Sequence, residues 1–144
     1  TAFPRTTGGK GLHLVVPLRP HADWETLRAF ARAIAEQHAR DEPGLLTANM
    51  AKSKRHGKIF LDYLRNGRGS TAIASYSVRA REGAPVAVPL RWDELSPAVR
   101  SDHYTVETLR RRLGALKSDP WEGFFEVAVP LNMNLLRAVG VEGG

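Results

Sequence analysis

The 144-residue chain contains no cysteine. This absence excludes disulfide bonds, catalysis by a cysteine thiolate, and zinc or iron–sulfur sites ligated by cysteine. Long apolar runs are also absent: none approaches the roughly 20 residues of a membrane-spanning helix, and the first residues lack the apolar core of a signal peptide. The sequence therefore predicts a soluble, cytoplasmic protein without membrane association.

Acidic residues are scarce in one stretch of the chain. Asp62 is the only acidic residue between Lys52 and Arg81, a window rich in lysine and arginine. Over the whole chain, 21 Lys and Arg against 15 Asp and Glu give a formal net charge of +6, which favours polyanionic partners. A carboxylate in a cationic field is suited to hold a divalent metal while the bases hold phosphates that the metal also contacts.

The apolar pattern predicts one domain over residues 1–144. A helix is predicted from the N-cap Asp23 to Pro43, because apolar residues recur there at helical spacing. The other predicted elements are strands at 12–18, 45–50, 58–64 and 71–76, an edge strand or extended segment at 86–90, and helical segments at 92–95 and 106–113 with arginines 110–112 exposed.

The Asn-Gly pair at 66–67 is typical of a tight turn, so strands 58–64 and 71–76 are predicted to form a hairpin. Strands joined by one secure helix and a hairpin, with later helices, indicate an α/β or α+β sandwich. We predict the α+β class, with a mixed β-sheet flanked by helices.

The first candidate site is the loop Thr-Gly-Gly-Lys-Gly at 7–11, followed by Leu12 and His13. Glycines let the backbone approach a ligand closely, while Lys10 supplies a charge and Thr7 a hydroxyl, so a phosphate would fit there. His13 could donate a hydrogen bond to phosphate or serve as an acid. The alternative is a glycine-rich hairpin turn with a satisfied histidine.

The second candidate site is Asp62, in the predicted strand 58–64. Alternate strand residues share a face, so Lys58, Phe60 and Asp62 are expected to point the same way. The preceding charge run at 52–58 is by itself typical of a solvated turn. An unpaired carboxylate in mid-strand beside a large apolar residue is unfavourable. Asp62 is therefore expected to contact a metal or an arginine.

Four arginines lie in or after the predicted hairpin: Arg65, Arg68, Arg79 and Arg81. The turn and return strand can bring guanidinium groups toward Asp62, and the guanidinium fork matches phosphate oxygens bidentately. A purely solubilising role is the alternative for Arg68 and Arg81.

Three sequence blocks occur in order: Thr-Gly-Gly-Lys-Gly-Leu-His at 7–13, Met-Ala-Lys-Ser-Lys-Arg-His-Gly-Lys-Ile-Phe-Leu-Asp-Tyr-Leu-Arg-Asn at 50–66, and Ala-Ser-Tyr-Ser-Val-Arg at 74–79. Together they resemble the polymerase domain of bacterial ligase D, a member of the archaeo-eukaryotic primase superfamily that works in non-homologous end joining. The resemblance extends from about Thr6 to Trp121. It implies a primase-polymerase-like fold, with this chain as its carboxy-terminal half.

The resemblance implies nucleotidyl transfer at DNA ends, with nucleotide triphosphates and DNA as partners and Mn²⁺ or Mg²⁺ as cofactor. Asp62 looks like the carboxylate that binds the catalytic metal. The loop looks like the triphosphate-binding motif, with Thr7 where the family usually has serine, and His13 is also assigned to catalysis. The assigned residues are Thr7, Lys10, His13, Lys52 and Arg79 for the nucleotide, Arg55, Arg65 and Arg68 for nucleic acid, and Asp62 for the metal.

The chain departs from the family pattern in its metal ligands. The family's first motif is a pair of aspartates one residue apart, and no Asp-x-Asp occurs in this chain. The metal site is therefore expected to be incomplete, and a partner chain or self-association is expected to cover the missing half. The leading hypothesis is a ligase D-type DNA repair polymerase module. The alternative is a non-catalytic nucleic-acid-binding or scaffold module.

Overall fold

The computed structural model describes residues 1–141. The elements in chain order are β1 Phe3–Thr6, β2 Leu12–Val15, β3 Leu18–Arg19, α1 Trp24–Asp41, β4 Leu46–Thr47, β5 Ile59–Phe60, α2 Val106–Ala115, β6 Val129–Pro130 and α3 Met133–Ala138. Single turns of 3₁₀-helix lie at Lys52–Lys54 and Trp92–Glu94. The chain divides into two compact units: unit 1 comprises Thr1–Leu18 and Ile73–Val129, and unit 2 comprises Arg19–Ala72 and the residues from Pro130 onward.

Unit 1 is built on the antiparallel pair β1 and β2, in which Phe3 is opposite Val15 and Thr6 is opposite Leu12. All of β1 is buried. In contrast, Leu12 and Leu14 on β2 are 42% and 60% exposed. Whether a partner chain or a second copy covers this exposed apolar face stays a prediction.

The core of unit 1 is the extended segment around Val86, Val88 and Leu90, whose side chains are fully buried. It lies beside β1, because the Thr6 amide donates to the Val88 carbonyl and the Leu90 amide to the Pro4 carbonyl, both at 3.0 Å. The predicted extended conformation is confirmed. The edge position is wrong, because the side of the segment away from β1 is also hydrogen-bonded: the Tyr76 amide donates to the Ala87 carbonyl, and the Ala87 amide to the Ser77 carbonyl.

Helix α2 packs its Leu109 against that core. Its N-terminus is closed by a reciprocal pair of hydrogen bonds between Thr105 and Thr108. The sequence predicted three exposed arginines at 110–112, and for Arg112 this is wrong. Its guanidinium forms a bidentate pair with Glu94 and donates to the Pro89 carbonyl at 3.0 Å, so it is largely buried.

Unit 2 contains the helix predicted with most support from the sequence. The Asp23 side chain accepts a hydrogen bond from the Thr26 amide at 2.7 Å, so α1 begins where the N-cap predicted. The helix ends at Asp41, just before the Pro43-Gly44 pair. Its amphipathic stripe is modest, and Ala35 is its buried residue.

The predicted hairpin between 58–64 and 71–76 is wrong. The strand is limited to β5, Ile59–Phe60, and it pairs in parallel with β4. The Ile59 and Leu61 amides donate to the carbonyls of Leu45 and Thr47 at 2.8 Å, which uses this edge of the strand. The Asn-Gly pair lies between two turns, one closed by the Asn66 amide on the Tyr63 carbonyl and the other by the Ser70 amide on the Gly67 carbonyl.

Both strand orientations occur, antiparallel in unit 1 and parallel in unit 2, together with helices. The predicted α+β class is confirmed. The single mixed β-sheet is wrong, because β1–β2 and β4–β5 are separate two-stranded sheets. Among residues 1–141, no helix is long and apolar enough to cross a membrane.

Candidate functional site

The glycine-rich loop between β1 and β2 is closed by its own hydrogen bonds. The Thr7 hydroxyl lies 3.2 Å from the carbonyl oxygens of Lys10 and Gly11, and it accepts from the Gly9 amide at 3.2 Å. The hydroxyl predicted to contact a ligand therefore holds the loop together. Its role toward a nucleotide stays a prediction.

Segments distant in sequence anchor this loop within unit 1. The Gly8 amide donates to the Ser101 carbonyl, and the Ser101 hydroxyl donates to the Gly9 carbonyl, both at 2.8 Å. Arg79 donates from Nε to the Thr7 carbonyl at 3.0 Å. Ser101 and Arg79 thus both anchor the loop. The amides of Gly8 and Gly9 already donate hydrogen bonds within the protein.

Gly8 could not be replaced without strain. Its φ is +63°, and a Cβ built on it would lie 3.0 Å from the Pro85 carbonyl oxygen and 3.0 Å from Cγ of Arg79. Both the left-handed backbone and the close approach require glycine. The loop can therefore pack tightly against the segment that carries Arg79.

Three predicted nucleotide-binding residues belong to this loop or adjoin it. Lys10 is exposed at the tip, Arg79 is half-buried at the base, and His13 is half-buried on β2. Arg81 adds a guanidinium 3.9 Å from the position that a Cβ on Gly9 would occupy. The loop is therefore surrounded by cations, as a phosphate-binding surface requires.

Arg5 is a further residue of the site that the sequence did not indicate. It lies opposite His13 in the β1–β2 pair, and its Nη2 is 3.0 Å from Nδ1 of His13. The residue is only 8% exposed, and burial lowers the pKa of its guanidinium. Neither Arg5 nor Ser101 stands in a recognisable motif, and only tertiary packing brings them to the loop.

Asp62 lies in unit 2, outside β5, and its side chain is 43% exposed. Its Oδ1 accepts a hydrogen bond from the Leu64 amide at 3.0 Å, which turns the chain away from an extended path. Its Oδ2 is 4.0 Å from Nε of Arg65, so the expected arginine neighbour is present. The predicted shared strand face with Lys58 and Phe60 is not formed, because the strand ends at Phe60.

The basic residues assigned to nucleic acid differ in how far the fold already uses them. Arg55 places its guanidinium 3.6 Å from the ring centroid of Phe60 and donates to the backbone carbonyls of Asn49 and Met50. Arg65 donates to the Thr71 carbonyl at 2.9 Å.

Two other assigned bases remain open to solvent. Lys52, on the 3₁₀ turn, and Arg68, in the turn after Gly67, are both exposed. Within the described residues, neither side chain forms a hydrogen bond or an ion pair. These two side chains can therefore contact a polyanion without giving up a bond in the fold.

Known proteins match this sequence and fold. The family described as LigD, primase-polymerase domain, matches residues 1–121. The chain belongs to this family. The multifunctional non-homologous end joining protein LigD of Pseudomonas aeruginosa is 41% identical over 140 residues, which is 96% of this chain and 17% of that protein. The LigD of Mycolicibacterium smegmatis is 45% identical over 94 residues, 65% of this chain and 12% of that protein.

The fold matches a solved LigD structure as well. The polymerase domain of Mycobacterium tuberculosis ligase D, in complex with DNA, superposes with a TM-score of 0.79 and 35% sequence identity. The superposition covers 89% of this chain and 44% of that domain. The ligase D resemblance and the primase-polymerase-like α+β fold are confirmed. The chain therefore spans less than half of the solved LigD domain and about a sixth of the Pseudomonas protein.

Residues 1–141 do not supply a complete set of ligands for the metal that the family implies. Asp62 offers one carboxylate, and one of its oxygens already accepts the Leu64 amide. Within residues 1–141, no group of three or more His, Cys, Asp or Glu side chains is placed to hold a metal ion. The described residues can contribute one ligand to a divalent metal and do not form a full coordination shell.

Proposed function

We propose that this chain is the nucleotide-triphosphate- and DNA-binding part of a LigD-type repair polymerase acting at DNA ends in non-homologous end joining. The observation that carries the proposal is the tied loop 7–11 with cationic side chains around it. Membership of the LigD primase-polymerase family supports it, as does the solved neighbour that was studied with DNA. We further propose that the chain corresponds to the carboxy-terminal part of such a domain.

In this proposal the triphosphate is bound by side chains. The amides of Gly8 and Gly9 already have partners, so they do not serve as donors in this conformation. Lys10 supplies a mobile point charge at the loop tip. Arg79 uses Nε to hold Thr7, which leaves its two Nη groups for phosphate oxygens. His13 adds a donor from the adjacent strand.

DNA is bound by basic side chains of unit 2. Lys52 and Arg68 are exposed and carry the charge that phosphates would neutralise. Arg55 and Arg65 each donate to a nearby backbone carbonyl, of Asn49 and Thr71 respectively. The guanidinium N–H groups that make no such bond remain for phosphate contacts. Basic side chains of this kind contact the phosphates and not the bases. DNA binding is therefore expected to be independent of base sequence.

Asp62 is proposed as one ligand to Mn²⁺ or Mg²⁺. Such a metal would stabilise charge on the phosphates during nucleotidyl transfer. Because the described residues do not complete its coordination, catalysis would need carboxylates beyond those described.

A second candidate function is a non-catalytic nucleic-acid-binding or scaffold module. The incomplete metal ligands and the absence of Asp-x-Asp favour it. Both candidates keep the phosphate-binding loop and the basic side chains. They differ in whether nucleotidyl transfer occurs once further carboxylates complete the metal site.

Titration of the purified chain with a fluorescent nucleoside triphosphate and with the matching nucleoside tests the proposal. We expect saturable binding of the triphosphate that weakens with salt, and no binding of the nucleoside at the same concentrations. Equal affinity for both would show that phosphates are not recognised. A second titration with labelled DNA ends of two unrelated sequences is expected to give equal affinities, and a strong preference would contradict the phosphate-contact proposal.

A further inference from the structure

The cross-strand pair Arg5 and His13 determines which ring nitrogen of His13 carries a proton. Nη2 of Arg5 is 3.0 Å from Nδ1 of His13. A guanidinium has only donors, so Nδ1 must be the acceptor. A neutral imidazole has a proton on one nitrogen and a lone pair on the other, which puts the proton on Nε2. With a proton on Nδ1, two N–H groups would face each other.

We propose that Arg5 is a positioning residue that holds His13 in the Nε2–H tautomer, so that His13 faces a polyphosphate as a neutral hydrogen-bond donor. The inference rests on the proposed function for its ligand. It also separates the two roles that the sequence left open for His13. A neutral Nε2–H imidazole donates a hydrogen bond, whereas general-acid chemistry of the usual kind starts from the doubly protonated ring.

Arg5 is held in place independently of any ligand. Its Nη1 donates to the Ser75 hydroxyl at 3.2 Å, and its guanidinium lies 5.7 Å from the ring centroid of Trp121. Trp121 is itself fixed, because its indole N–H donates to the Pro4 carbonyl at 2.9 Å. The Arg5 Nη2–H group that donates to His13 is therefore held in a fixed orientation in the absence of a nucleotide.

Arg5 carries its charge without a carboxylate partner among residues 1–141. The guanidinium is buried, its Nε has no hydrogen-bond partner, and no carboxylate within residues 1–141 pairs with it. A buried charge without a counter-ion is unfavourable, and an apolar side chain would avoid that penalty. Besides its contacts with Ser75 and Trp121, the guanidinium provides at this position a fixed donor to His13.

Nitrogen-15 NMR of the imidazole rings in the nucleotide-free chain tests the inference directly. The chain has five histidines, and His13→Gln identifies the signal of interest. We expect Nδ1 to resonate as an unprotonated nitrogen and Nε2 as a protonated one. A coupling through the hydrogen bond between the Arg5 Nη2–H and Nδ1 is expected in the wild-type chain. A protonated Nδ1, or a missing coupling in the wild type, would overturn the proposal without any variant.

Variants then test whether Arg5 is the cause. Arg5→Met removes the donor and keeps an unbranched stem, and it should give a mixture of the two tautomers. Arg100→Met, at an exposed arginine of the same unit, is the control and should leave the His13 spectrum unchanged. A pure Nε2–H tautomer in Arg5→Met, with the fold retained by circular dichroism, would show that Arg5 does not set it. If Arg5→Met does not fold, the presence or absence of the coupling between Arg5 Nη2–H and His13 Nδ1 in the wild-type chain supports or refutes the proposal.

Nucleotide affinity separates this inference from the proposed function. Arg5→Met leaves a mixture of tautomers and is therefore expected to weaken triphosphate binding about twofold, whereas His13→Ala removes the donor and should weaken it about tenfold. The double variant should lose no more than His13→Ala. Nε2–H in the free chain with no nucleotide binding would refute the proposed function and leave the tautomer assignment intact. Additive losses in the double variant would refute the link between Arg5 and His13.

Discussion

Arg79 donates a hydrogen bond from Nε to the backbone carbonyl of Thr7 at 3.0 Å. Its own amide donates to the Pro85 carbonyl at 2.8 Å, so the residue is tied into unit 1 by main chain and side chain together. Lys10 differs, because it is exposed and its side chain forms no hydrogen bond within residues 1–141. Two cations that the sequence placed in the same role are therefore expected to respond differently to substitution.

Lys10→Ala should weaken triphosphate binding by about 1.5–3 kcal/mol and leave stability within about 0.5 kcal/mol of the wild type. Arg79→Ala should weaken binding by a similar amount and also lower the free energy of unfolding by about 1 kcal/mol, because the Thr7 carbonyl loses its donor. Nucleotide titration and urea denaturation measure the two effects. Lys117→Ala, at another exposed lysine of unit 1, is the charge-matched control. Unchanged affinity in both loop variants would leave the loop as an ordinary turn.

Gly8→Ala should destabilise the chain more than Gly11→Ala. Both have positive φ, +63° and +73°, and a left-handed backbone costs a residue with a Cβ about 1–2 kcal/mol. Only at Gly8 would the Cβ also meet the Pro85 carbonyl oxygen at 3.0 Å, whereas no atom lies within 4 Å at Gly11. Urea denaturation should rank the variants in that order, with Gly44→Ala near the wild type as the control. The reverse order would mean that the loop does not pack against Pro85.

The Glu94–Arg112 pair should make stability depend on acid pH. The hydrogen bond from Arg112 lowers the pKa of Glu94 below its ordinary value of 4.5. A carboxyl with a lowered pKa in the folded state stabilises the fold above the unfolded value, and this contribution is lost as pH falls through the folded one. The free energy of unfolding of the wild type should therefore fall more steeply below pH 4.5 than that of Glu94→Gln.

At neutral pH, Glu94→Gln should cost about 3 kcal/mol, because it leaves the Arg112 guanidinium buried without its counter-ion. The exposed Arg32–Glu36 pair supplies the control. Glu36→Gln should change stability by less than about 1 kcal/mol. Similar losses at both positions would indicate that burial of Arg112 does not matter. Parallel pH profiles for the wild type and Glu94→Gln would contradict the assigned pKa shift.

Local signals in the sequence predicted the parts of the fold that local interactions decide. Asp23 caps α1, and the Pro43-Gly44 pair follows its end, because capping and helix termination depend on neighbouring residues. The glycine-rich loop was also visible, since positive φ at Gly8 requires glycine. The identity of the family followed from ordered blocks of residues that include this loop.

The errors arose where distant segments compete for the same backbone. Residues 58–64 alternate well enough for a hairpin strand, but β5 pairs with β4, and the Asp62 side chain bends the chain by accepting the Leu64 amide. The sequence predicted Arg112 to be solvated like Arg110 and Arg111, because the distant residue Glu94 that pairs with it is brought close only by the fold. Arg5 and Ser101 reach the loop only through tertiary packing, and no spacing in the sequence marks them.

Arg68→Ala should weaken DNA binding without affecting stability. Its side chain is exposed and unbonded within the described residues, so its loss should lower the slope of log affinity against log salt by about one.

Arg55→Ala should weaken DNA binding and also destabilise the chain by about 1 kcal/mol, because it removes the contact with Phe60 and the bonds to the Asn49 and Met50 carbonyls. Anisotropy of labelled DNA over a salt series measures binding, with Arg40→Ala on α1 as the control. A salt slope that Arg68→Ala leaves unchanged would exclude a phosphate contact.

The purified chain should not extend a primer at a useful rate, even with Mn²⁺. A catalytic metal is normally anchored by one or two carboxylates together with substrate phosphates, and two-metal transfer needs a second such site. The described residues offer Asp62, already bonded to the Leu64 amide, and no group of three potential ligands. Primer extension with a full-length LigD as the positive control measures this directly. Robust extension by the purified chain that disappears in Asp62→Asn would show that the chain completes a metal site by itself, whereas nucleotide and DNA binding without extension is the expected result.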